Sequence, residues 1–232
     1  MQAGSGPPLL LLHGYAGSAR WWERNLLPLA EAHTVYALDL PGFGAARMPG
    51  PYTFERVVSL LAAWMEANGI GPAALVGHSM GGQVAMLLAA AYAERVRSMV
   101  LLAPAGLPFS GNLIGIGRQA LLSRAGGDIR FTPIVVSGAL RAGPRILWQA
   151  VQQIRRVDVR SHLTGFAVPT LILWGERDRL IPAANAPILS AALPHAEVRI
   201  IPGMGHNIFF DDAKLVNQAI LAFIGRFERV DP

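Results

Sequence analysis

The run Gly77-His78-Ser79-Met80-Gly81 has a spacing that can turn a serine into a nucleophile. It matches G-x-S-x-G, with an apolar strand-like segment before it and an alanine-rich helical segment after it. In such a turn a side chain at either glycine would collide with neighbouring backbone, and the serine hydroxyl projects into a cleft. The backbone N–H of Met80 would face the same cleft and stabilise an oxygen anion. The pattern therefore predicts Ser79 as the nucleophile of an acyl transfer reaction.

A serine hydroxyl needs a base, and the base needs a group that holds its tautomer. The chain order Ser, Asp, His is the one expected for this type of turn. Asp178 and His206 each follow a predicted strand, so both are expected at the sheet edge where Ser79 lies. We therefore predict His206 as the base and Asp178 as its orienting acid. Glu176, nearer to the strand end, is the alternative acid.

The remaining histidines and aspartates have simpler interpretations. His13 lies in a turn and His78 is fixed beside the nucleophile, so neither is expected to act as the base. The other residues are assigned to the opposite sheet edge (His33, His195), the inserted segment (His162), a turn (Asp39) and a helix start (Asp211, Asp212).

The loop at 13–18, after the first strand, is expected to supply a second donor to the oxygen anion. The N–H of Tyr15 is our choice for this donor, and that of Ala16 is the alternative. Tyr15, Trp21 and Trp22 are also candidates for an apolar pocket wall. Paired tryptophans at a helix start are, however, more often simple packing.

Strand-like and helix-like segments alternate along most of the chain. This pattern predicts an α/β fold with a mainly parallel sheet, helices on both faces and ligands bound beyond the carboxyl ends of the strands. The predicted strands are 8–12, 33–40, 73–76, 98–103, 170–174 and 197–201, and the predicted helices are 21–32, 53–68, 80–93 and 212–227.

The alternation stops at 105–168, where the sequence becomes arginine-rich and mostly helical in its spacing. We predict an insertion here that lies over the carboxyl edge of the sheet. The chain then divides into a first core part at 1–104, a helical cap at 105–168 and a second core part at 169–232.

All of the excess positive charge lies in this predicted cap. Of the 20 basic residues all but Lys214 are arginine, and the cap contains two acidic residues, Asp128 and Asp158. A solvated arginine face is the simplest interpretation, and an anionic lipid surface or a carboxylate-bearing substrate are functional ones. Nucleic acid is not expected, because no binding motif accompanies the charge. The cap arginines are Arg118, Arg124, Arg130, Arg141, Arg145, Arg155, Arg156 and Arg160.

Composition excludes several classes of protein. With 52% hydrophobic and 15% charged residues the chain is too apolar for intrinsic disorder, and no apolar run has the length of a spanning helix. The chain has no cysteine, which excludes disulfides and thiolate chemistry. No secretory signal pattern opens it, so we expect a cytoplasmic location. Two weak patterns, the glycine-rich 115–120 and the pair Asp158 and His162, are set aside, and neither a cofactor nor a metal is expected.

These residues together resemble those of an α/β-hydrolase of the small, cap-bearing serine type. The resemblance covers about 4–227 and includes His13-Gly14, the run at 39–44, the turn at Ser79, Asp178 and Gly205-His206. It implies that Ser79 is the nucleophile, that His206 acts first as base and then as acid, and that Asp178 orients it. It also implies an oxyanion hole formed by the amides of Tyr15 and Met80, with the insertion as the variable cap.

One departure concerns the sheet edge. Family members usually carry an antiparallel strand pair before the segment that here begins near Met1, so the sheet is expected to lack about two strands. An uncovered edge could pair with another chain, which would favour an oligomer.

The resemblance implies a cofactor-independent hydrolase of carboxylic esters that forms an acyl-serine intermediate. The apolar cap and aromatic loop favour uncharged small-molecule esters with short to medium acyl chains, and lipase-like action at an interface is one version. One alternative is a carbon–carbon bond hydrolase acting on ring-fission diketones, whose carboxylate cap arginines would bind. Another is a ligand-binding protein with little turnover. A serine at position 79 disfavours relatives with an aspartate nucleophile.

Overall fold

A seven-stranded sheet forms the centre of the protein. In the computed structural model, which describes residues 1–108, 128–163 and 165–228, the strand order is β1-β3-β2-β4-β5-β6-β7. All neighbouring strands are parallel except β1 and β3. The strands are β1 (Gln2–Ala3), β2 (Pro8–Leu12), β3 (Thr34–Leu38), β4 (Ala73–His78), β5 (Val96–Leu102), β6 (Thr170–Gly175) and β7 (Ala196–Ile201).

Helices cover both faces of the sheet, as the alternating pattern predicted. The α-helices are α1 (Leu26–Ala30), α2 (Phe54–Ala67), α3 (Met80–Ala91), α4 (Phe131–Arg156), α5 (Asn185–Ala191), α6 (Ile208–Asp211) and α7 (Ala213–Ile224). Short 3-10 helices lie at Ala19–Trp22, Ala93–Arg95 and Val159–His162.

Two hydrophobic cores, one on each face of the sheet, explain why β2 is apolar throughout. Leu10 and Leu12 of β2 belong to one core, and Leu9 and Leu11 belong to the other. Because successive side chains of a strand point to opposite faces, a strand buried on both faces has no polar position. This arrangement confirms the parallel, doubly covered sheet.

The helix predictions succeeded where a cap defines the boundary. The Thr53 hydroxyl accepts a hydrogen bond from the Arg56 N–H at 3.3 Å, and α2 begins at the next residue as predicted. The helix predicted at 21–32 is instead two short pieces, the 3-10 helix Ala19–Trp22 and α1. The segment predicted at 212–227 corresponds to α7, preceded by the separate turn of helix α6, and α5 was not predicted.

The sheet edge carries a short strand that the sequence did not predict. β1 pairs antiparallel with β3, and the ammonium group of Met1 donates to the Ala37 carbonyl at 2.7 Å. This strand is two residues long. The family feature expected to be missing is therefore represented by one short antiparallel strand, and edge pairing with another chain stays a prediction.

The described part of the cap is helical and packs on the core through α4. This helix breaks at Gly143, whose φ of 73° is not helical, and Pro144 starts its second segment. In that segment Gln149 accepts a hydrogen bond from the Tyr52 N–H, and four residues later Gln153 accepts one from the Phe54 N–H, both at 3.2 Å. Two side chains one turn apart thus fix the helix on the start of α2.

Some of the sequence predictions lie outside the described residues. These are the glycine-rich pattern at 115–120 and the arginines Arg118 and Arg124. Within the described ranges, no helix has the length and apolar character required to cross a bilayer.

Candidate active site

Four strands end at the same edge of the sheet and lead into the predicted site residues. β2 leads into His13, β4 into Ser79, β6 into Asp178 and β7 into His206. Because these strands are parallel neighbours or next neighbours, their carboxyl ends gather the loops that follow them.

Ser79 occupies a strained turn between β4 and α3. Its φ of 53° and ψ of −117° lie in a region that residues with side chains rarely adopt. A Cβ at Gly77 would lie 2.5 Å from the Gly81 carbonyl oxygen, and a Cβ at Gly81 would overlap the Leu12 carbonyl oxygen. Both glycines of the motif are therefore required by close backbone contacts, as the sequence predicted.

Asp178 and His206 form a buried pair. The His206 Nδ1 lies 2.7 Å from Asp178 Oδ2, and the side chain of Asp178 has no exposed surface. The other carboxylate oxygen, Oδ1, accepts from the N–H groups of Leu180 and Ile181 at 2.8 and 2.9 Å. Since a carboxylate accepts, Nδ1 of His206 carries the hydrogen and Nε2 of the neutral ring is left as a proton acceptor.

His78 links the loop of His206 to the serine turn. Its Nε2 donates to the His206 carbonyl oxygen at 3.0 Å, and the two imidazole rings lie 4.7 Å apart. Burial, reinforced by the neighbouring His206, holds the pKa of His78 well below its ordinary value, so the ring is neutral and keeps this tautomer. His206 is thereby placed beside the residue that precedes Ser79.

The structure joins Asp178 to His206 but shows no hydrogen bond from the Ser79 hydroxyl to His206 among the described residues. Such contacts often tighten only when substrate is bound. The Ser79–His206 proton transfer therefore stays a prediction, supported by the position of the His206 loop against the serine turn.

The loop after β2 is fixed by His13. The Leu40 N–H donates to His13 Nε2 at 3.0 Å, so the hydrogen is on Nδ1, which lies 2.8 Å from the Gly14 carbonyl oxygen. That oxygen also accepts from the Gly17 N–H at 3.1 Å. Burial lowers the pKa of His13 to about 4, so at neutral pH the ring is uncharged and has this tautomer.

The fixed Gly14 carbonyl determines the direction of the next N–H. In a trans peptide the carbonyl and the following N–H point to opposite sides, so the Tyr15 N–H points away from His13 and Gly17. A Cβ at Gly14 would lie 3.2 Å from the Ser79 Cβ, which places this loop directly against the serine. The backbone N–H groups of Tyr15, Ala16 and Met80 donate to no other described residue. Tyr15 and Met80 stay our predicted oxyanion donors.

The cap touches the same loop. The Tyr15 hydroxyl donates to the Leu147 carbonyl oxygen of α4 at 3.2 Å. A Cβ at Gly138 of α4 would overlap the carbonyl oxygen of Ala16, whose φ is 59°. The loop predicted to bind the oxyanion is therefore fixed on one side by His13 and on the other by the cap helix α4.

The aromatic residues predicted as pocket wall separate into two groups. Trp21 packs near the site, since a Cβ at Gly14 would meet its ring at 2.9 Å and the ring lies 5.7 Å from that of His78. Trp22 has no exposed surface and packs on Phe209 in the core. The structure therefore gives Trp22 the packing role that was its alternative interpretation.

The other acidic candidates have structural partners. Glu176 accepts a hydrogen bond from the Gly203 N–H at 2.8 Å, and Asp39 accepts from the N–H groups of Ala19 and Ala45 at 2.7 and 2.8 Å. Asp158 caps a 3-10 helix and pairs with Arg160. In the described part of the chain, no group of three or more His, Asp or Glu side chains has the arrangement of a metal site.

Sequence reasoning gave no functional role to three residues that position the site. His13 and His78 were given no role as bases, and each holds a loop of the site through a ring nitrogen. Gly138 was not recognised at all. A histidine directly before a glycine or serine at a strand end was the available signal for the first two, whereas Gly138 gave none.

The chain is similar to several proteins of known name. The pimeloyl-(acyl-carrier protein) methyl ester esterase of Xanthomonas oryzae is 30% identical over 95% of this chain and 96% of its own length. The acetyltransferase component of the acetoin cleaving system of Cupriavidus necator, which acts on a dihydrolipoyllysine residue, is 31% identical over 97% of this chain. The chain spans only 65% of the length of that relative.

Solved structures show the same fold. An esterase from Thermogutta terrifontis superposes with a TM-score of 0.82 at 24% identity, covering 98% of this chain and 93% of that one. A bacterial membrane phospholipase A also gives 0.82, at 27% identity over 99% of this chain and 82% of that one. A family model described as the alpha/beta hydrolase family matches residues 9–219. The chain belongs to the alpha/beta hydrolase family.

Proposed function

We propose that the protein hydrolyses carboxylic esters through an acyl-serine intermediate. The observation that carries this proposal is the buried Asp178–His206 pair, held beside a strained serine turn by the His78 hydrogen bond. The pair, the serine turn and the predicted oxyanion donors come from four loops, those after β2, β4, β6 and β7, and these are the groups that serine catalysis requires. The esterase relative from Xanthomonas oryzae, which matches along nearly its whole length, supports the same reaction class.

In the proposed reaction His206 Nε2 removes the proton of the Ser79 hydroxyl as Ser79 Oγ attacks the ester carbonyl. Asp178 stabilises the imidazolium that forms, and the N–H groups of Tyr15 and Met80 bind the oxygen anion. The imidazolium then protonates the leaving alcohol. The same imidazole then takes a proton from water, which attacks the acyl-serine; the bond to Ser79 Oγ breaks, the acid leaves, and the imidazolium returns the proton to Ser79 Oγ.

The identity of the ester is the finer part of the proposal. We favour uncharged esters of short to medium acyl chains, because the half-buried Tyr15 lies in the loop beside Ser79 and packs on the buried aromatic ring of Phe43. The esterase relative acts on the methyl ester of an acyl group attached to a carrier protein, so a methyl ester with a long acyl tail belongs among the tested substrates. Lipase-like action and a cytoplasmic location also stay proposals.

Carbon–carbon bond hydrolysis is less favoured. This alternative requires cap arginines that bind the carboxylate of the substrate. Arg130 and Arg160 are instead paired with Asp128 and Asp158, and Arg145 is exposed. A diketone acid included in the substrate panel separates the two reactions, since faster turnover of the diketone than of every ester would contradict our assignment.

Replacing the nucleophile is the decisive test. We expect Ser79→Ala to lower kcat for a chromogenic acetate or butyrate ester by at least about 10⁴-fold, because it removes the atom that forms the covalent intermediate. Circular dichroism and the melting temperature should stay near those of the parent. Ser190→Ala, a serine of α5 outside the site, should leave kcat unchanged.

Covalent trapping gives a second readout. In intact-protein mass spectra, a fluorophosphonate should add one phosphonyl group to the parent and to Ser190→Ala but none to Ser79→Ala. Ester turnover or labelling that persists in folded Ser79→Ala would refute Ser79 as the nucleophile. A single burst of product without further turnover would instead support the ligand-binding alternative.

A further inference from the structure

The outer side of the cap helix combines exposed apolar residues with arginines. In the first segment of α4, Phe131, Ile134 and Gly138 face inward, which leaves the opposite side to solvent. In the second segment the buried residues are Ala150, Val151 and Ile154. We define the outer cap face by the exposed residues Val136, Leu140, Arg141, Arg145, Trp148 and Arg156.

Three large apolar side chains of this face are exposed to solvent. Leu140 is 78% exposed, Trp148 55% and Val136 46%. Of the ten large hydrophobic residues exposed in the described part of the chain, four lie between Ile129 and Trp148. Exposed apolar residues scattered singly need no explanation, but three of these four, Val136, Leu140 and Trp148, lie on α4, which indicates a surface that is covered during function.

The charge of the same helix has one sign. No acidic residue occurs between Ile129 and Val157, a stretch that contains five arginines besides the apolar residues. In the second segment Arg145, Trp148 and Arg156 are spaced by three and eight residues, so they lie on one side of the helix. Among the described residues, neither Arg145 nor Arg156 appears in an ion pair.

We propose that the outer cap face docks on a bilayer that contains anionic phospholipid. Each of the two segments of α4 keeps its buried side on the core and presents exposed apolar and arginine side chains to solvent, a combination that suits an anionic membrane interface. The arginines contact lipid phosphates, Trp148 takes the headgroup level, and Leu140 enters the acyl region. An acidic protein could satisfy the arginines, but it would leave the exposed Leu140 and Trp148 without an apolar partner.

The same helix connects this surface to the candidate site. Its inner side contacts the loop of Tyr15 and Ala16 through Leu147 and Gly138. Docking would therefore bring the loop that faces Ser79 close to the lipid surface, where apolar esters partition. The binding step does not depend on hydrolysis, so it can fail or succeed independently of the proposed function.

The test is binding of the full-length protein to vesicles. We expect the parent to cosediment with vesicles of phosphatidylglycerol and phosphatidylcholine, with at least ten-fold weaker binding to phosphatidylcholine alone. Emission of Trp148 should shift to the blue and be quenched by brominated acyl chains, and both effects should be absent in Trp148→Phe. Raising the salt concentration should weaken binding.

Paired variants separate the two parts of the proposal. Arg145→Glu with Arg156→Glu should weaken binding at least ten-fold, whereas Arg199→Glu with Lys214→Glu, which changes the charge equally outside the cap, should change it less than two-fold. Leu140→Gln should weaken it several-fold, and Leu215→Gln, at an exposed leucine of α7, should not. All of these positions are exposed, so folding should persist.

Three outcomes would overturn the proposal. The first is equal binding to the two kinds of vesicle. The second is binding that depends on the arginines but shows neither quenching nor sensitivity to Leu140→Gln, which would indicate a purely charged partner such as an acidic protein. The third is a dimer in solution that Leu140→Gln dissociates, because the face would then be covered by a second copy of the chain.

Discussion

His13 shows how a residue without a part in the chemistry can determine the geometry of the site. Its two ring nitrogens have opposite hydrogen-bonding roles, since Nδ1 donates to the Gly14 carbonyl and Nε2 accepts from the Leu40 N–H. Only the neutral ring with one tautomer can do both. Protonation would put a hydrogen on Nε2 and break the contact with Leu40, so the orientation of the Tyr15 N–H depends on the charge state of a buried histidine.

This dependence predicts a loss of stability in acid. The folded protein holds the pKa of His13 at about 4, below its ordinary value, so between pH 6.5 and 4 the unfolded chain binds a proton that the folded chain does not. Stability is therefore complete above pH 6.5 and falls as the pH drops toward 4, by roughly 3 kcal/mol for this group. Urea unfolding at several pH values measures this change in the free energy of unfolding.

Two variants isolate the contribution of His13. His13→Gln can still accept from the Leu40 N–H but does not titrate, so its unfolding free energy should fall less steeply between pH 6.5 and 4 than that of the parent. His195→Gln replaces an exposed histidine and should keep the parental slope. The burial of His78 adds a loss of the same sign in all three proteins. Equal slopes for the parent and His13→Gln would contradict the assignment.

At the scale of elements, the contact between α4 and the loop after β2 makes the cap part of the candidate site. Gly138 approaches the Ala16 carbonyl so closely that a methyl group must displace one of the two elements. We expect Gly138→Ala to lower kcat roughly 10- to 100-fold with a smaller change in KM, because the displaced loop carries a predicted oxyanion donor. Steady-state kinetics with a chromogenic ester measures both constants.

The controls distinguish the loop from the helix. Tyr15→Phe removes only the hydrogen bond to Leu147 and should lower kcat less than Gly138→Ala does. Gly71→Ala adds a methyl group where nothing lies within 4 Å, so it should leave kcat and KM as they are. A Gly138→Ala enzyme with parental kcat would show that the cap does not position this loop.

The sequence predicts elements well where the pattern is local. β2 has its predicted bounds because a strand buried on both faces is apolar at every position, and the serine turn is predicted because its two glycines are needed by backbone contacts within one motif. β1 could not be predicted, since two residues have no periodicity. The contact of Gly138 with Ala16 could not either, because it joins segments far apart in the chain and depends on how the cap lies.

At the scale of the whole molecule, the described cap is attached to the core at both ends of α4. The far end is held by Gln149 and Gln153 on the start of α2. The near end is held by Asp128, whose carboxylate accepts from the Arg24 guanidinium at 2.7 Å and whose N–H donates to Asp211 at 3.0 Å. The Asp128 pKa is lowered chiefly by its hydrogen bonds with Arg130, so the carboxylate stays charged.

Arg24 joins this attachment to the helix that follows His206. Besides Asp128, its guanidinium donates to the Phe210 carbonyl at 2.7 Å and lies 3.8 Å from the centre of the Phe210 ring. Phe210 belongs to α6, and Asp211 ends the same helix. Arg24 therefore joins the start of the described cap to α6, the helix that follows the predicted catalytic histidine.

Arg24→Met tests this joint, because methionine keeps much of the apolar stem and removes the charge and the donors. We expect it to cost about 1 to 3 kcal/mol of unfolding free energy, in the range for hydrogen bonds to charged groups that are partly buried. Amide hydrogen exchange should become faster in 128–135 and 207–212, with little change in β4 and β5. Arg199→Met breaks an exposed pair with Glu197 and should cost less than about 1 kcal/mol. If exchange in Arg24→Met rises equally throughout the described chain, the cap base and α6 are not joined through Arg24, because loss of a local tie must open these two segments before the sheet.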